Sequence, residues 1–142
     1  MITIRQVIKS KGHEVYSVGP LATMFDAIKK MTDEGVGAIV VMDDDKLIGI
    51  ITERHYVHNV VSKGKSILEM PVQEIMTTRV LCAGYEQTIE QCMAVMTDKC
   101  VRHLPVLDND QLVGIISIGD LVKSAIADQK FVIEQLENYI HG

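Results

Sequence analysis

Val41-Met42-Asp43-Asp44-Asp45-Lys46-Leu47-Ile48-Gly49-Ile50-Ile51-Thr52 and Val106-Leu107-Asp108-Asn109-Asp110-Gln111-Leu112-Val113-Gly114-Ile115-Ile116-Ser117 are two versions of one pattern. Each is an apolar run, an acidic turn, and a second apolar run ending on a hydroxyl residue. Outward from there, Val15 to Val61 aligns without a gap on Val80 to Ile126, with roughly 15 of 47 positions identical. The chain therefore carries an internal duplication, which implies two pseudo-symmetric units with a shared interface.

Each copy opens on an extended stretch, Val15-Tyr16-Ser17-Val18 or Val80-Leu81-Cys82-Ala83, with a turn at Gly19-Pro20 or Gly84-Tyr85. An amphipathic helix follows. Its apolar residues recur at i, i+3, i+4 and i+7: Met24, Ala27, Ile28 and Met31 in one copy, Ile89, Cys92, Met93 and Met96 in the other. Thr23 with Asp26 and Thr88 with Gln91 have capping-box spacing. Gly35 stands where a left-handed C-terminal residue is needed, whereas the second copy has Cys100 there. The two apolar runs read as a β-hairpin, and a helix follows at Glu53 to Val61 or Gly119 to Ala127. The fold class is α/β (α+β), with the unit β-α-β-β-α built twice and packed as one module.

The expected organisation is a lead-in helix in 1–14, repeat 1 in 15–62, a structured connector in 63–79, repeat 2 in 80–127, and an amphipathic helix in 128–142. Three segments are thus placed outside the duplication. Thr3 to Lys11 reads as a short helix with Ile4, Val7 and Ile8 inward, ended by Gly12. The connector holds a short helix started by Pro71. The terminal helix carries an apolar strip of Val132, Leu136, Tyr139 and Ile140, suited to packing on the body or on a second copy.

With 142 residues and 47% apolar content, the chain can bury one compact core, or two small ones that shield each other. A net charge of −5 argues against a nucleic-acid partner, because phosphate binding needs a basic face. No apolar run reaches membrane-spanning length and no signal-peptide pattern opens the chain, so a cytoplasmic protein is expected. Cys82, Cys92 and Cys100 lack metal-site spacing and read as buried thiols, with no metal called for. The triple Asp at 43–45 is a turn, since a calcium loop needs ligands at longer spacing and a distal Glu. Lys63-Gly64-Lys65-Ser66 falls short of a phosphate loop. No Ser, Cys or His sits in a nucleophile motif, so catalysis has no visible support.

Chemistry gathers at the end of the second hairpin. Ser117 sits at a strand's carboxyl edge and Asp120 in the first turn of the next helix, where backbone N–H groups point outward. Such a corner can seat a nucleotide, the carboxylate accepting from two ribose hydroxyls and the hydroxyl facing the phosphate. The same spacing also serves as a plain helix cap. Both readings stand on spacing alone.

The run Gly114-Ile115-Ile116-Ser117-Ile118-Gly119-Asp120-Leu121-Val122-Lys123, preceded by Val101-Arg102-His103-Leu104-Pro105-Val106, resembles the hallmark of the cystathionine-β-synthase (CBS) domain. Gly49-Ile50-Ile51-Thr52-Glu53-Arg54 resembles it in the first copy. The similarity spans nearly the whole chain and suggests a stand-alone tandem pair, called a Bateman module. The resemblance implies two clefts between the repeats that bind adenosine-containing ligands such as AMP, ATP, NAD(H) or S-adenosylmethionine. It implies regulation and not catalysis, with no required cofactor beyond the regulatory nucleotide.

Carried onto this chain, Asp120 would hold the ribose and Ser117 the phosphate side of one cleft, and Thr52 would serve the other. Leu81, Cys82, Leu104 and Pro105 would wall the adenine in one copy, and Tyr16, Ile39 and Val40 in the other. Arg54, Arg102 and His103 are candidate phosphate contacts. The first copy departs from the pattern by having His55 where an Asp is expected, so the two sites should not be equivalent. If His55 met a phosphate, affinity should rise as pH falls. The resemblance and the apolar helix faces point to a homodimer. A dimeric interaction protein with empty clefts, or an enzyme acting on a nucleotide, are the alternatives.

Overall fold

A computed structural model of the chain describes residues 1–141. In chain order the elements are α1 (Ile4–Lys11), β1 (Ser17–Val18), α2 (Met24–Glu34), β2 (Ala38–Asp43), β3 (Lys46–Thr52) and α3 (Glu53–Tyr56), followed by β4 (Ala83–Gly84), α4 (Ile89–Lys99), β5 (His103–Asp108), β6 (Gln111–Ser117) and α5 (Ile118–His141). The chain divides into two compact units, one formed by Val15–Leu81 and the other by Met1–Glu14 with Cys82 onward.

Each unit holds a three-stranded sheet, β1-β2-β3 or β4-β5-β6, its first pair parallel and its second antiparallel. The duplication reaches the level of register. Ala38 pairs with Thr52 as His103 pairs with Ser117, and the ladders slip at Val41/Met42 and at Val106/Leu107. The acidic turns between strands work because Asp and Asn tolerate the left-handed region: Asp44 has φ 52° in the first, Asn109 and Asp110 have φ 50° and 62° in the second. Thr23 with Asp26 and Thr88 with Gln91 form the reciprocal capping boxes that their spacing predicts. At the C-termini, Gly35 adopts φ 68° without cost, whereas Cys100 is forced to φ 55°.

Two of the three segments placed outside the duplication, the lead-in helix and the connector, pack into the cores of the repeats. Ile4 N–H donates to the Gln87 carbonyl, and α1 inserts Ile4, Val7 and Ile8 among Ala83, Ile89, Cys92, Met96, Leu104, Val106, Ile116 and Leu121. Burial of those three side chains, at about 1.5–3 kcal/mol each, holds a helix too short to persist alone. The connector does the same for the first copy, burying Met70 and Val72 among Met24, Ala27, Met31, Ile39, Val41 and Ile51. The Met70 carbonyl accepts from Met24 N–H at 2.8 Å, as the Ile2 carbonyl accepts from Ile89 N–H at 3.1 Å. Ile2-Thr3-Ile4 is therefore the counterpart of Met70-Pro71-Val72, three residues out of step with the shift of the bodies. Each lead-in serves the copy that does not directly follow it.

Two helices differ from expectation. Glu53 to Val61 is not uniform: α3 runs into a π-helical turn, Val57–Ser62, in which Asn59 is buried and donates to the His55 carbonyl at 2.9 Å. The helix after β6 does not stop at Ala127. Nothing in Ala127-Asp128-Gln129-Lys130 breaks a helix, so α5 continues unbroken for 24 residues. The thiols also differ from their uniform expectation, Cys92 being buried, Cys82 half-buried and Cys100 exposed at its left-handed cap. No helix among the described residues is long and apolar enough to cross a membrane, and no three His, Cys, Asp or Glu side chains there gather as metal ligands.

Glycine marks where each lead-in meets its sheet. A methyl group on Gly114 would come within 2.6 Å of Ile8 Cδ1, the flexible end of its side chain, whereas one on Gly49 would press on Met76 down to Cβ at 3.2 Å. Gly49→Ala should cost about 1–3 kcal/mol in urea denaturation, more than Gly114→Ala, and Met76→Ala should recover part of it. Cys100→Gly should raise stability by about 0.5–1 kcal/mol by removing the left-handed penalty.

Candidate functional site

The two strand-to-helix corners differ in chemistry between the copies. At the end of β6, Ser117 N–H donates to Asp120 Oδ2 at 2.8 Å and Asp120 N–H donates to Ser117 Oγ at 3.1 Å. The pair is thus a reciprocal cap at the start of α5. A third group joins it from α1: Lys11 Nζ lies 2.6 Å from Asp120 Oδ2 and donates to the Ile115 carbonyl at 2.7 Å. Burial works against ionisation of Asp120. The hydrogen bonds and charge of Lys11, with the Ser117 N–H and hydroxyl, outweigh it and hold the carboxyl below its ordinary value. Asp120 is an anion, half-buried, with both contacts on one oxygen.

His55 takes the equivalent place at the end of β3. Thr52 N–H donates to His55 Nδ1 at 3.0 Å, and His55 Nε2 lies 3.0 Å from Thr77 Oγ1. Because a backbone N–H can only donate, Nδ1 is the acceptor and the proton sits on Nε2, which donates to Thr77. Burial, then the charges of Arg54 and His58, lower the His55 pKa. The imidazole is therefore neutral and engaged at both nitrogens within its own unit.

The register brings Arg102 and His103 to the Ser117 corner: His103 lies across the ladder from Ser117, and the Arg102 carbonyl accepts from Ile118 N–H at 2.9 Å. Arg54 is exposed in the first turn of α3. Tyr16 approaches β2 through its carbonyl, which accepts from Val40 N–H at 3.2 Å. Ile39, Val40, Leu104 and Pro105 are buried, with Ile39 and Leu104 inside the two cores. Cys82 is half-buried, which raises its thiol pKa, and Leu81 is exposed.

Sequence reasoning missed Lys11 and Thr77, the two polar residues that the lead-ins deliver to the corners. The signal was the similarity of Ile2-Thr3-Ile4 to Met70-Pro71-Val72, which the change of step concealed. The match extends to β-strand edges: Thr77 and Ile50 exchange backbone hydrogen bonds at 3.1 Å, and at the equivalent Ile115 the Lys11 ammonium binds the carbonyl.

Neutral His55 has a consequence for stability. Its folded pKa lies below the unfolded value, so its contribution is complete above about pH 6.5 and is lost as pH falls through the lowered folded value. Thermal melts between about pH 7 and pH 5 should show this loss in the native chain. His55→Gln should remove that part of it, since a glutamine at this position can still accept from the Thr52 N–H, as Gln6 and Gln91 do for Thr3 and Thr88.

Comparison with known proteins agrees with this geometry. The family model of the CBS domain matches residues 2–62 and 72–127, taking in α1 and the connector from Val72 onward. The CBS domain-containing protein CBSX3, mitochondrial, of Arabidopsis thaliana is 34% identical over 149 residues, covering 99% of this chain and 72% of that protein. The crystal structure of the CBS domain NE2398 superposes with a TM-score of 0.83 at 44% identity, covering 87% of this chain and 97% of that one. The CBS domain pair of protein MJ0100, solved with 5′-methylthioadenosine and S-adenosyl-L-methionine, shares the fold, with a TM-score of 0.79 at 18% identity and coverage of 90% and 98%. The duplicated sheets, their lead-ins and the two family matches make this chain a member of the CBS domain family, with two copies of the domain in tandem.

Proposed function

We propose that the chain is a regulatory sensor that binds an adenosine-containing ligand, AMP, ATP, NAD(H) or S-adenosylmethionine, at the Ser117–Asp120 corner. The observation that carries this reading is the placement of the Asp120 carboxylate at the start of α5, locked to Ser117 at the carboxyl edge of β6. A carboxylate is an acceptor only, and two adjacent ribose hydroxyls are donors, so the pairing needs no change of protonation. Lys11 binds Asp120 Oδ2, so a ligand competes with the ammonium or shares the carboxylate with it. The complex of MJ0100 with two adenosine compounds supports the reading at the level of the fold. The Thr52–His55 corner has an imidazole in place of the Asp120 carboxylate, engaged at both ring nitrogens, so it takes no ribose in this way.

Sensing requires that the ligand bind two arrangements of the protein with different affinity. Nothing in the reading requires bond-making, and the ligand is released unchanged. Calorimetry against AMP, ADP, ATP, NAD+, NADH and S-adenosylmethionine should give one dominant site. Asp120→Ala should weaken it by about 1.5–3 kcal/mol. A ligand present at about 100 times its dissociation constant should stabilise the fold by about 2.7 kcal/mol. Absence of binding by every compound, or an unchanged affinity in Asp120→Ala, overturns the proposal, and turnover of the nucleotide would favour an enzyme instead.

A further inference from the structure

Lys11 carries a cation into the Ser117–Asp120 corner from the last position of α1, 109 residues from Asp120 in sequence. Its Nζ donates to Asp120 Oδ2 at 2.6 Å and to the Ile115 carbonyl at 2.7 Å. The place of α1 does not depend on this contact. Ile4, Val7 and Ile8 are buried in the core, and the N–H groups of Ile4 and Arg5 donate to the carbonyls of Gln87 and Tyr85. Arg5 also pairs with Glu86 and lies over the Tyr85 ring. Beside three buried aliphatic side chains, one part-exposed ion pair adds little to that anchorage. The first copy docks its lead-in with no charge at the equivalent place: Thr77 meets His55 through a hydroxyl, and its backbone is tied to Ile50. A lead-in therefore needs no ammonium in order to pack.

The charges at the corner decide what it accepts. In the structure Lys11 and Asp120 neutralise each other. A ribose brings two hydroxyl donors without charge. As they take the carboxylate, the ammonium gives up its share of Oδ2 and keeps the Ile115 carbonyl. The Lys11 side chain is only 34% exposed, and a cation so placed is costly without a counter-ion. A ligand with a phosphate on its 5′ carbon supplies that anion, on the same sugar as the hydroxyls and within the sweep of a flexible four-carbon stem. Adenosine and 5′-methylthioadenosine supply none. S-adenosylmethionine sets a sulfonium there, a like charge facing the ammonium.

We propose that Lys11 is the specificity-determining residue of this corner, selecting adenosine ligands that carry a 5′-phosphate over those whose 5′ group is neutral or cationic. The inference rests on the reading of Asp120 as the ribose acceptor and narrows it to nucleotides. Calorimetry of the full chain with AMP, adenosine, 5′-methylthioadenosine and S-adenosylmethionine tests it. The native chain should bind AMP roughly tenfold or more tighter than adenosine or 5′-methylthioadenosine, and S-adenosylmethionine most weakly. Lys11→Met keeps an apolar stem and removes the charge. It should weaken AMP about tenfold, leave adenosine equal or tighter, and tighten S-adenosylmethionine. Lys11→Arg should keep the native order. Loss of packing would weaken all four compounds alike, so the ratio of AMP to adenosine affinity is a readout that a purely structural lysine leaves unmoved. A native chain that binds AMP no tighter than adenosine, or a ratio unchanged in Lys11→Met, overturns the role of Lys11, and the ribose site still stands if Asp120→Ala abolishes adenosine binding. Absence of binding by all four compounds, or adenosine binding indifferent to Asp120→Ala, overturns both.

Discussion

The contact of a lead-in side chain with a glycine in the sheet, Ile8 against Gly114 and Met76 against Gly49, is the constraint from which the rest of each unit follows. A sheet of three strands with one helix cannot close a core on that side. The lead-in supplies the missing apolar side chains, and the glycine lets them approach the backbone. Once Ile8 and Met76 are seated, the residues that follow them are carried to the carboxyl edge of β6 and β3. That is why Lys11 and Thr77 end on Asp120 and His55, although neither is near those residues in sequence.

The same contact makes the two corners chemically unlike. Both are capping boxes of one design, a hydroxyl residue with an acceptor three residues on, the design that also starts α1, α2 and α4. In one corner the acceptor is a carboxylate held ionised by an ammonium. In the other it is a neutral imidazole held by a hydroxyl. The two copies keep the backbone, while Asp120 against His55 at the corner, and Lys11 against Thr77 from different positions of the two lead-ins, make the charge differ. A single fold thereby presents an anion and a neutral donor–acceptor at equivalent places, and only the anion suits a pair of ribose hydroxyls.

The hairpins, both amphipathic helices, their caps and the inward face of α1 are legible in the sequence. They follow from local periodicity and from residues that tolerate special backbone angles, which act over a few positions. The Ser117–Asp120 pairing is legible for the same reason, since it closes within four residues. His55 is legible as a departure from the pattern, but not its protonation state, because burial beside Arg54 and His58 depends on how the chain folds over it.

Local sequence determined the repeats, their secondary structure and the residues at each corner, since periodicity and capping are short-range physics. Only the tertiary structure decided which copy each lead-in completes, because the hydrophobic contacts of Ile4, Val7, Ile8, Met70 and Val72 join residues far apart in the chain. It also decided that Ile39 and Leu104 are enclosed and that the end of α5 is not. Burial is a property of what surrounds a side chain, and the sequence around an apolar residue does not state what will lie across from it.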